Sequence, residues 1–519
     1  MPWPLRDSAR RTGGILVSPL AFVVANAVMF CVVRPDVPDL WAARARASAA
    51  AHGVGLTYWF SWFGGTTPGG YSVLTPSLCA LVGTEVLAGL AAVAISSIAC
   101  VLLRGTSHPL AAAWIAAIGI VVNLWCGRVP FLLGMAFAVG AVVFVQRRHK
   151  VLAGALSMLT VLASPVAGAF LCLALSGVPL APATRAYRGT ALLTMGCALG
   201  ALGAVAIAFG SPGPEPFPRY LLAEVGIALA LMLCLAQRHH HLRATLAISG
   251  MAALVVFSVP NGLGANFVRL ALFCLPPVVV ALSRQRLRVV VLAMAPILAF
   301  GGLTSVSAAQ SAAKPWSHAA YYSALAAEVD TLPGIANHRL ELVHVAHAAY
   351  ATLLGHAALA RGWETQEDRD LNAVLSRDSL DSSQYRTWLD ANAVGYVAID
   401  GTGKTAEARL VGAGHLDYLR EVWHQDSWRL YEVLRPTPIV ASPAVLESAT
   451  QAAMRVHVSC ACRTLLRVRW SRFLTVSASL PRTADSVEDA FAPTLTADRS
   501  GWTTLTTNRA GTYILQGML

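Results

Sequence analysis

The sequence predicts a polytopic α-helical membrane protein of about eleven spans, N-terminus in and C-terminus out, ending in an extracytoplasmic α/β plus β-sandwich-like region. Three observations predict it. Hydrophobic residues make up 56% of the chain, charged residues only 13%, and mean hydropathy is +0.57, a balance that a soluble globular domain does not carry. The acidic residues are unevenly placed: of 27, only Asp7, Asp36, Asp39, Glu85, Glu215 and Glu224 precede residue 306. Finally, the last 80 or so residues alternate polar and apolar in short runs, the period of half-buried strands. The expected domains are therefore 1–305 in the membrane, with a large external loop at 34–76, a mixed α/β domain at 306–435, and a β-rich domain at 436–519.

A spanning helix needs roughly 20 apolar residues, fewer where the bilayer thins. Spans are expected near 14–33, 77–103, 110–126, 130–146, 151–163, 166–178, 190–210, 219–236, 244–259, 267–283 and 288–305. Ala25-Asn26-Ala27 mimics a signal-peptide cleavage site, but it lies inside the apolar run, so the first span reads as an uncleaved anchor. The basic clusters Arg6/Arg10/Arg11, Arg147-Arg148-His149-Lys150, Arg238 to Arg243 and Arg284/Arg286/Arg288 all fall on one side if 151–163 and 166–178 are two crossings turning at Ser164-Pro165. That side is the cytoplasm, because positive loops stay inside. The net charge of +12 thus sets topology, and no nucleic-acid partner is expected; membrane lipids are.

The first external loop opens with RPDVPDLW. Asp36 and Asp39 stand just beyond the end of the first helix; Asp39 reads either as an N-cap for LWAARARASAAA or as a carboxylate held at the membrane surface as a general base. Next comes YWFSWFGGTTPGGY. Its rings Tyr58, Trp59, Trp62 and Tyr71 suit the headgroup level, and Gly64, Gly65, Gly69 and Gly70 let backbone N–H groups approach an anion. One reading is a flat interfacial loop that helps bind a lipid phosphate, with Trp59, Trp62 and Tyr71 as substrate-binding residues. The other is a re-entrant connector with an aromatic anchor.

Glu85 and Glu224 are the two acids expected within spans, where charge is costly and is paired or functional. Arg128, Arg269 and Asn266 fall at the outer ends of spans. Either the acids pair with those arginines, or the whole set lines an outward polar cavity in which arginines hold phosphate and carboxylates hold sugar hydroxyls. His239-His240-His241 lies beside cytoplasmic arginines and is not read as a metal site; no metal-ligating residues are expected. GTGKT at 401–405 lacks Walker spacing and reads as a turn. Eight of the ten cysteines lie before residue 306. Cys460 and Cys462, taken as strand neighbours on one face, would stand roughly 6.5–7 Å apart, too far for a disulfide.

In the outer region, SHAAYYSALAAEVD and SSQYRTWLDANAV have helical spacing, GYVAID is a strand, and DYLREVWHQDSWRLYEVL reads as helix, turn and strand. MRVHVSC, TLLRVRW, FLTVSASL, GWTTLTTN and GTYILQG read as strands of an antiparallel sheet or sandwich. Trp470 and Trp502 are expected to plug its core rather than stack on sugars.

With these pieces in place, the chain resembles a group of actinobacterial polytopic membrane proteins. The resemblance rests on YWFSWFGGTTPGGYSVLTP, GRVPFLLGMAF, ASPVAGAFL, NGLGANFVRL, ALARGWETQEDRDLN, WLDANAVGYVAI, LREVWHQDSWRLYEV and RVRWSRFLTV with DRSGWTTLTT, and covers most of the chain. Through its architecture the chain also distantly resembles the GT-C superfamily of membrane glycosyltransferases. That resemblance implies a polyprenyl-phosphate sugar as donor substrate, a cell-envelope glycan or lipid as acceptor, and transfer outside the plasma membrane. No resident cofactor is implied, and a need for a divalent ion is left open. The superfamily's catalytic acid in the first external loop matches Asp36 or Asp39, which do not form an adjacent pair. Glu85, Arg128, Glu224, Asn266, Arg269, Trp59, Trp62 and Tyr71 are the expected substrate-binding residues. Two other classes remain: a transporter or flippase of an envelope precursor, using Glu85 and Glu224, and a non-catalytic glycan-binding scaffold.

Overall fold

The computed structural model describes residues 16–210, 213–237, 239–343, 348–478 and 492–518. The basic residues Arg6, Arg10, Arg11 and Arg238 lie outside the described residues. The chain divides into two compact units, Met1–Ala47 with Gly70–Ala313 and Ser48–Gly69 with Lys314–Leu519. The first unit thus ends a few residues beyond the expected 305, and the middle of the stretch expected to be the first external loop, Ser48–Gly69, belongs to the second unit.

Helices occupy every stretch where a span is expected, but they differ in reach. Among the described residues six segments are long and apolar enough to cross a membrane: Thr84–Leu103, Val129–Gln146, Pro182–Phe209, His240–Ser258, Gly264–Leu282 and Leu287–Ala312. The pair Val17–Val33 and Pro38–Ala51, bent by 65°, would make a seventh if it were one span. Pro109–Trp125 and Lys150–Ala163 are apolar but shorter. At 1.5 Å per residue they extend about 21–26 Å, less than the ~30 Å hydrocarbon layer. The expected eleven full crossings therefore exceed what helix length alone supplies.

Local sequence explains the breaks. Gly83, at φ +91°, splits the expected 77–103 span into Thr75–Val82 and Thr84–Leu103. Ser164 is extended between Lys150–Ala163 and Pro165–Leu175, and its hydroxyl accepts the Ala167 N–H at 3.4 Å. Pro276 and Pro277 cannot donate backbone bonds and crowd the carbonyls four residues back. The turn ahead of them is correspondingly wide, a π-helix over Leu270–Cys274.

The second unit holds three sheets. The first orders β1 (Arg339–Leu342), β2 (Val394–Ile399), β4 (Trp428–Val433) and β3 (Leu419–Gln425), with β1 parallel to β2 and the remaining pairs antiparallel. β2 is buried at all six positions and central. The expected helix over DYLREVWHQ is instead β3, half of a hairpin: Val422 and Trp423 favour a pleated strand, and Asp426 takes φ +53° in the turn. β5 (Ala444–Ala449), β6 (Ala453–Val458), β11 (Gly511–Gly517) and β8 (Leu474–Ala478) form a second sheet; β7 (Arg463–Arg469), β10 (Trp502–Thr506) and β9 (Thr494–Ala497) form a third. Their inward residues, among them Met454, Val456, Val458, Leu466, Val468, Leu505 and Leu515, make one core. Trp502 is buried, as a core residue should be, whereas Trp470 is 44% exposed.

Two further expectations change. Cys460 and Cys462 form a disulfide, with Cα atoms 5.5 Å apart, because they sit in the bend between β6 and β7 rather than on an extended strand. The aromatic–glycine stretch is no flat interfacial loop. Trp59 and Thr66 exchange backbone hydrogen bonds at 2.9 and 3.1 Å, closing a tight turn. Trp59 and Trp62 are each 1% exposed; the Trp59 indole donates to Gln451 at 3.0 Å, and Tyr58 donates to the Arg469 carbonyl at 2.6 Å. Gly65, at φ +125°, lies so close to Tyr58 that a Cβ there would come within 1.8 Å of its hydroxyl. Gly64, which lies against Trp502, and Gly65 thus serve packing of rings inside the second unit.

Candidate active site

The site is built within the first unit, where the first helix ends. Arg34 closes Val17–Val33 in the left-handed region. With prolines at 35 and 38 the chain cannot continue the helix, and a new one starts at Pro38. Asp39 thus stands inside the first turn of Pro38–Ala51 and not at the expected N-cap, near N–H groups whose dipole favours a carboxylate.

Two charged clusters grow from this helix. In one, Arg44 donates to Glu85 Oε1 from Nε at 2.9 Å and from Nη2 at 2.7 Å, and reaches Asp36 Oδ1 at 3.4 Å. Glu85 opens the first turn of Thr84–Leu103 and is buried. Glu85 does pair with an arginine, but with Arg44 rather than Arg128 or Arg269.

In the other cluster, both expected arginines converge on Asp39. Arg128 Nε stands 3.6 Å from Asp39 Oδ2 and Arg269 Nη2 3.9 Å from the same oxygen. Both distances exceed a hydrogen bond. Arg128 Nη1 donates to Asn123 Oδ1 at 3.0 Å, its buried Nε has no hydrogen-bond partner among the described residues, and the Arg269 guanidinium lies 5.4 Å from the centre of the Phe131 ring. The Asp39 side chain is 37% exposed, against 13% and 18% for the two arginines. Asp39 accepts no side-chain hydrogen bond among the described residues, so both cations stand off it. Tyr71 interacts electrostatically with Asp39 and Arg269, and its ring sits 4.0 Å below the Arg46 guanidinium. Burial pushes the Tyr71 hydroxyl upward, Arg46 opposing, so it stays a proton donor.

One glycine makes the approach possible. Gly127, at φ +74°, passes so near Leu40 that a Cβ there would stand 2.6 Å from the Leu40 nitrogen. The neighbours of these two residues are Arg128 and Asp39, so the glycine brings cation and carboxylate together across two helices.

The structure therefore unites Asp39, Arg128, Arg269 and Tyr71, turns Asp36 and Glu85 toward Arg44, and buries Trp59 and Trp62 in the second unit. Asn266 is half-buried on the turn Gly264–Phe267 that leads to Arg269. Glu224, on Arg219–Leu235, makes no ion pair or hydrogen bond among the described residues. The sequence reading passed over Arg44, Arg46, Asn123 and Gly127. The signal for the first two was present: they are the only cations in an alanine-rich helix, and an unneeded charge there calls for a partner. Among the described residues no group of three or more His, Cys, Asp or Glu side chains is arranged to hold a metal ion.

Six crossing-length apolar helices carrying a charged constellation define the class: a multi-pass membrane protein. No protein-family model matches the chain, and no curated protein matches it. Among solved structures it is similar to the oligosaccharyltransferase of Archaeoglobus fulgidus, crystallised with an acceptor peptide containing the NVT sequon tethered through a disulfide bond. The two share 13% identity at a TM-score of 0.44, over 75% of this chain and 69% of that one. A likeness of that degree decides neither fold nor chemistry for this chain.

Proposed function

We propose that the protein is a membrane glycosyltransferase of GT-C type. It moves a sugar from a polyprenyl-phosphate donor to a cell-envelope glycan or lipid acceptor on the outer side of the plasma membrane. The observation that carries this reading is the convergence of Arg128 and Arg269 on Asp39, both beyond hydrogen-bond distance, with the Asp39 side chain still 37% exposed. Two guanidinium groups against one carboxylate leave a surplus positive charge, which suits an anionic leaving group. An exposed carboxylate that accepts no hydrogen bond suits a proton acceptor.

In this mechanism an acceptor hydroxyl attacks the anomeric carbon. Its proton passes to the Asp39 carboxylate, the bond from the anomeric carbon to the phosphate oxygen breaks, and its electron pair leaves on the lipid phosphate beside Arg128 and Arg269. One carboxylate in reach of the acceptor implies a single displacement, with inversion at the anomeric carbon. Tyr71 donates to the donor head, and Asp36 and Glu85 fix the helix through Arg44. The Cys460–Cys462 disulfide supports an extracytoplasmic second unit, because such bonds persist in oxidising compartments. With the N-terminus inside, that placement needs only an odd number of crossings.

The test is a mass-spectrometric profile of envelope glycans and polyprenyl-phosphate sugars in a deletion strain. A missing glycan with accumulated lipid-linked sugar is expected and identifies both substrates; an unchanged profile contradicts transfer. A second reading, a proton-coupled carrier, is favoured by Glu224, an acid on a membrane helix with no ion partner among the described residues. In that case Glu224→Gln fails to restore the deletion strain, whereas Asp39→Asn restores it.

A further inference from the structure

Behind the two arginines the first unit contains a cavity of about 150 Å³. Its walls come from Thr84–Leu103, Pro109–Trp125, Val129–Gln146 and the π-turn with its following helix, and apart from Asn123 they are apolar, including Ile95, Leu103, Met135 and Val139. Its polar end meets the site at three points. Asn123, which lines the cavity, is the residue that accepts from Arg128. Phe131 lines it beneath the Arg269 guanidinium. Phe273 and Cys274, also lining, follow Arg269 on the π-turn. At its side Val278 is 43% exposed on the outer face of the bundle.

We infer that this cavity takes the head-proximal part of the hydrocarbon chain of the same lipid whose phosphate the arginines hold. The inference rests on the reading of Arg128 and Arg269 as phosphate ligands, and it adds a length. The lining runs from Phe131 to Val139 on one helix and from Ile95 to Leu103 on another, about 12 Å at 1.5 Å per residue. Volume sets the limit within that length: an apolar cavity of about 150 Å³ holds roughly six carbons, the size of a benzene ring, so it receives about the first six carbons of the chain. Anything longer leaves beside Val278 into the bilayer. The protein thus reads a phosphate and a short chain segment, and is indifferent to total chain length.

The experiment is a thermal-shift titration of the full chain with monoalkyl phosphates from four to sixteen carbons, with the matching alcohols as controls for partitioning. Affinity is expected to rise with length, at most about fourfold per buried methylene, to level off near roughly six carbons, and to disappear in Arg128→Gln/Arg269→Gln. Ala116→Phe, which fills the cavity, is expected to flatten the length dependence while leaving the arginine dependence; Ala99→Phe serves as a second filling variant. Binding that needs the arginines but ignores length and both filling variants overturns the cavity assignment and leaves the phosphate site standing. A shift that alcohols reproduce, or none with any phosphate, overturns both.

Discussion

Two clusters of arginine and carboxylate, one in each unit, are built to opposite ends. In the second unit Arg361 donates to both oxygens of Asp368 at 2.9 and 2.6 Å and to Glu407 at 2.7 Å, and reaches Glu341 at 3.5 Å. Asn372 braces Asp368 and is itself held by the Trp388 indole. Glu341 and Glu407 are 0% and 1% exposed. In the first unit Arg128 and Arg269 stand at 3.6 and 3.9 Å from a carboxylate that is 37% exposed. A short, braced, buried network spends its charges on one another and fixes a fold. A loose one with a surplus cation and an exposed carboxylate keeps charge available for a ligand. The difference in contact geometry, rather than the residue types, separates structure from chemistry here.

Substitutions that exchange the two roles break the comparison if it is wrong. The largest effect is expected from Asp39→Asn, which lowers transfer by roughly 100- to 10,000-fold while the melting temperature of the purified protein stays near that of the wild type. Arg361→Met is expected to do the reverse. Leaving buried carboxylates without their cation costs about 3–5 kcal/mol, seen as a lower melting temperature, with transfer per folded molecule unchanged. In the proposed mechanism Arg269→Gln removes one donor to the leaving phosphate, and it is expected to cost about 100-fold in transfer with little change in stability.

The smallest effect is a pH dependence. Burial, reinforced by Glu407 and Asp368 and opposed by Arg361, pushes the Glu341 carboxyl well above the usual range. A carboxyl raised by folding contributes stability that is complete below its unfolded value and is lost as pH rises toward the folded value. The melting temperature is therefore expected to fall as pH is raised from the acid side, and Glu341→Gln to flatten that slope. A wild-type melting curve that climbs with pH over this range contradicts the assignment.

Much of this was legible in the sequence. Apolar runs gave the helices of the first unit, because a run of about 20 apolar residues has few other fates. Alternation gave the strands of the last 80 residues. The arginines at span ends and Asp39 were also legible, since charge in or near hydrocarbon requires a reason. What escaped depends on neighbours distant in the chain. DYLREVWHQ carries helix-tolerant residues and becomes a strand through pairing with β4. Cys460 and Cys462 are brought to 5.5 Å by a bend. The rings from Tyr58 to Trp62 looked fit for a membrane surface and found a protein core instead. The assignment between Asp36 and Asp39 also had no local signal: it follows from Arg44 and Glu85 on one side, and from Gly127 drawing Arg128 to Asp39 on the other.

The most direct measurement is the glycan and lipid-linked sugar profile of the deletion strain restored with wild type, Asp36→Asn or Asp39→Asn, each at matched expression. Wild type and Asp36→Asn are expected to restore the glycan, whereas Asp39→Asn is expected to leave the lipid-linked sugar accumulated. Full restoration by Asp39→Asn would contradict the role of Asp39 as proton acceptor.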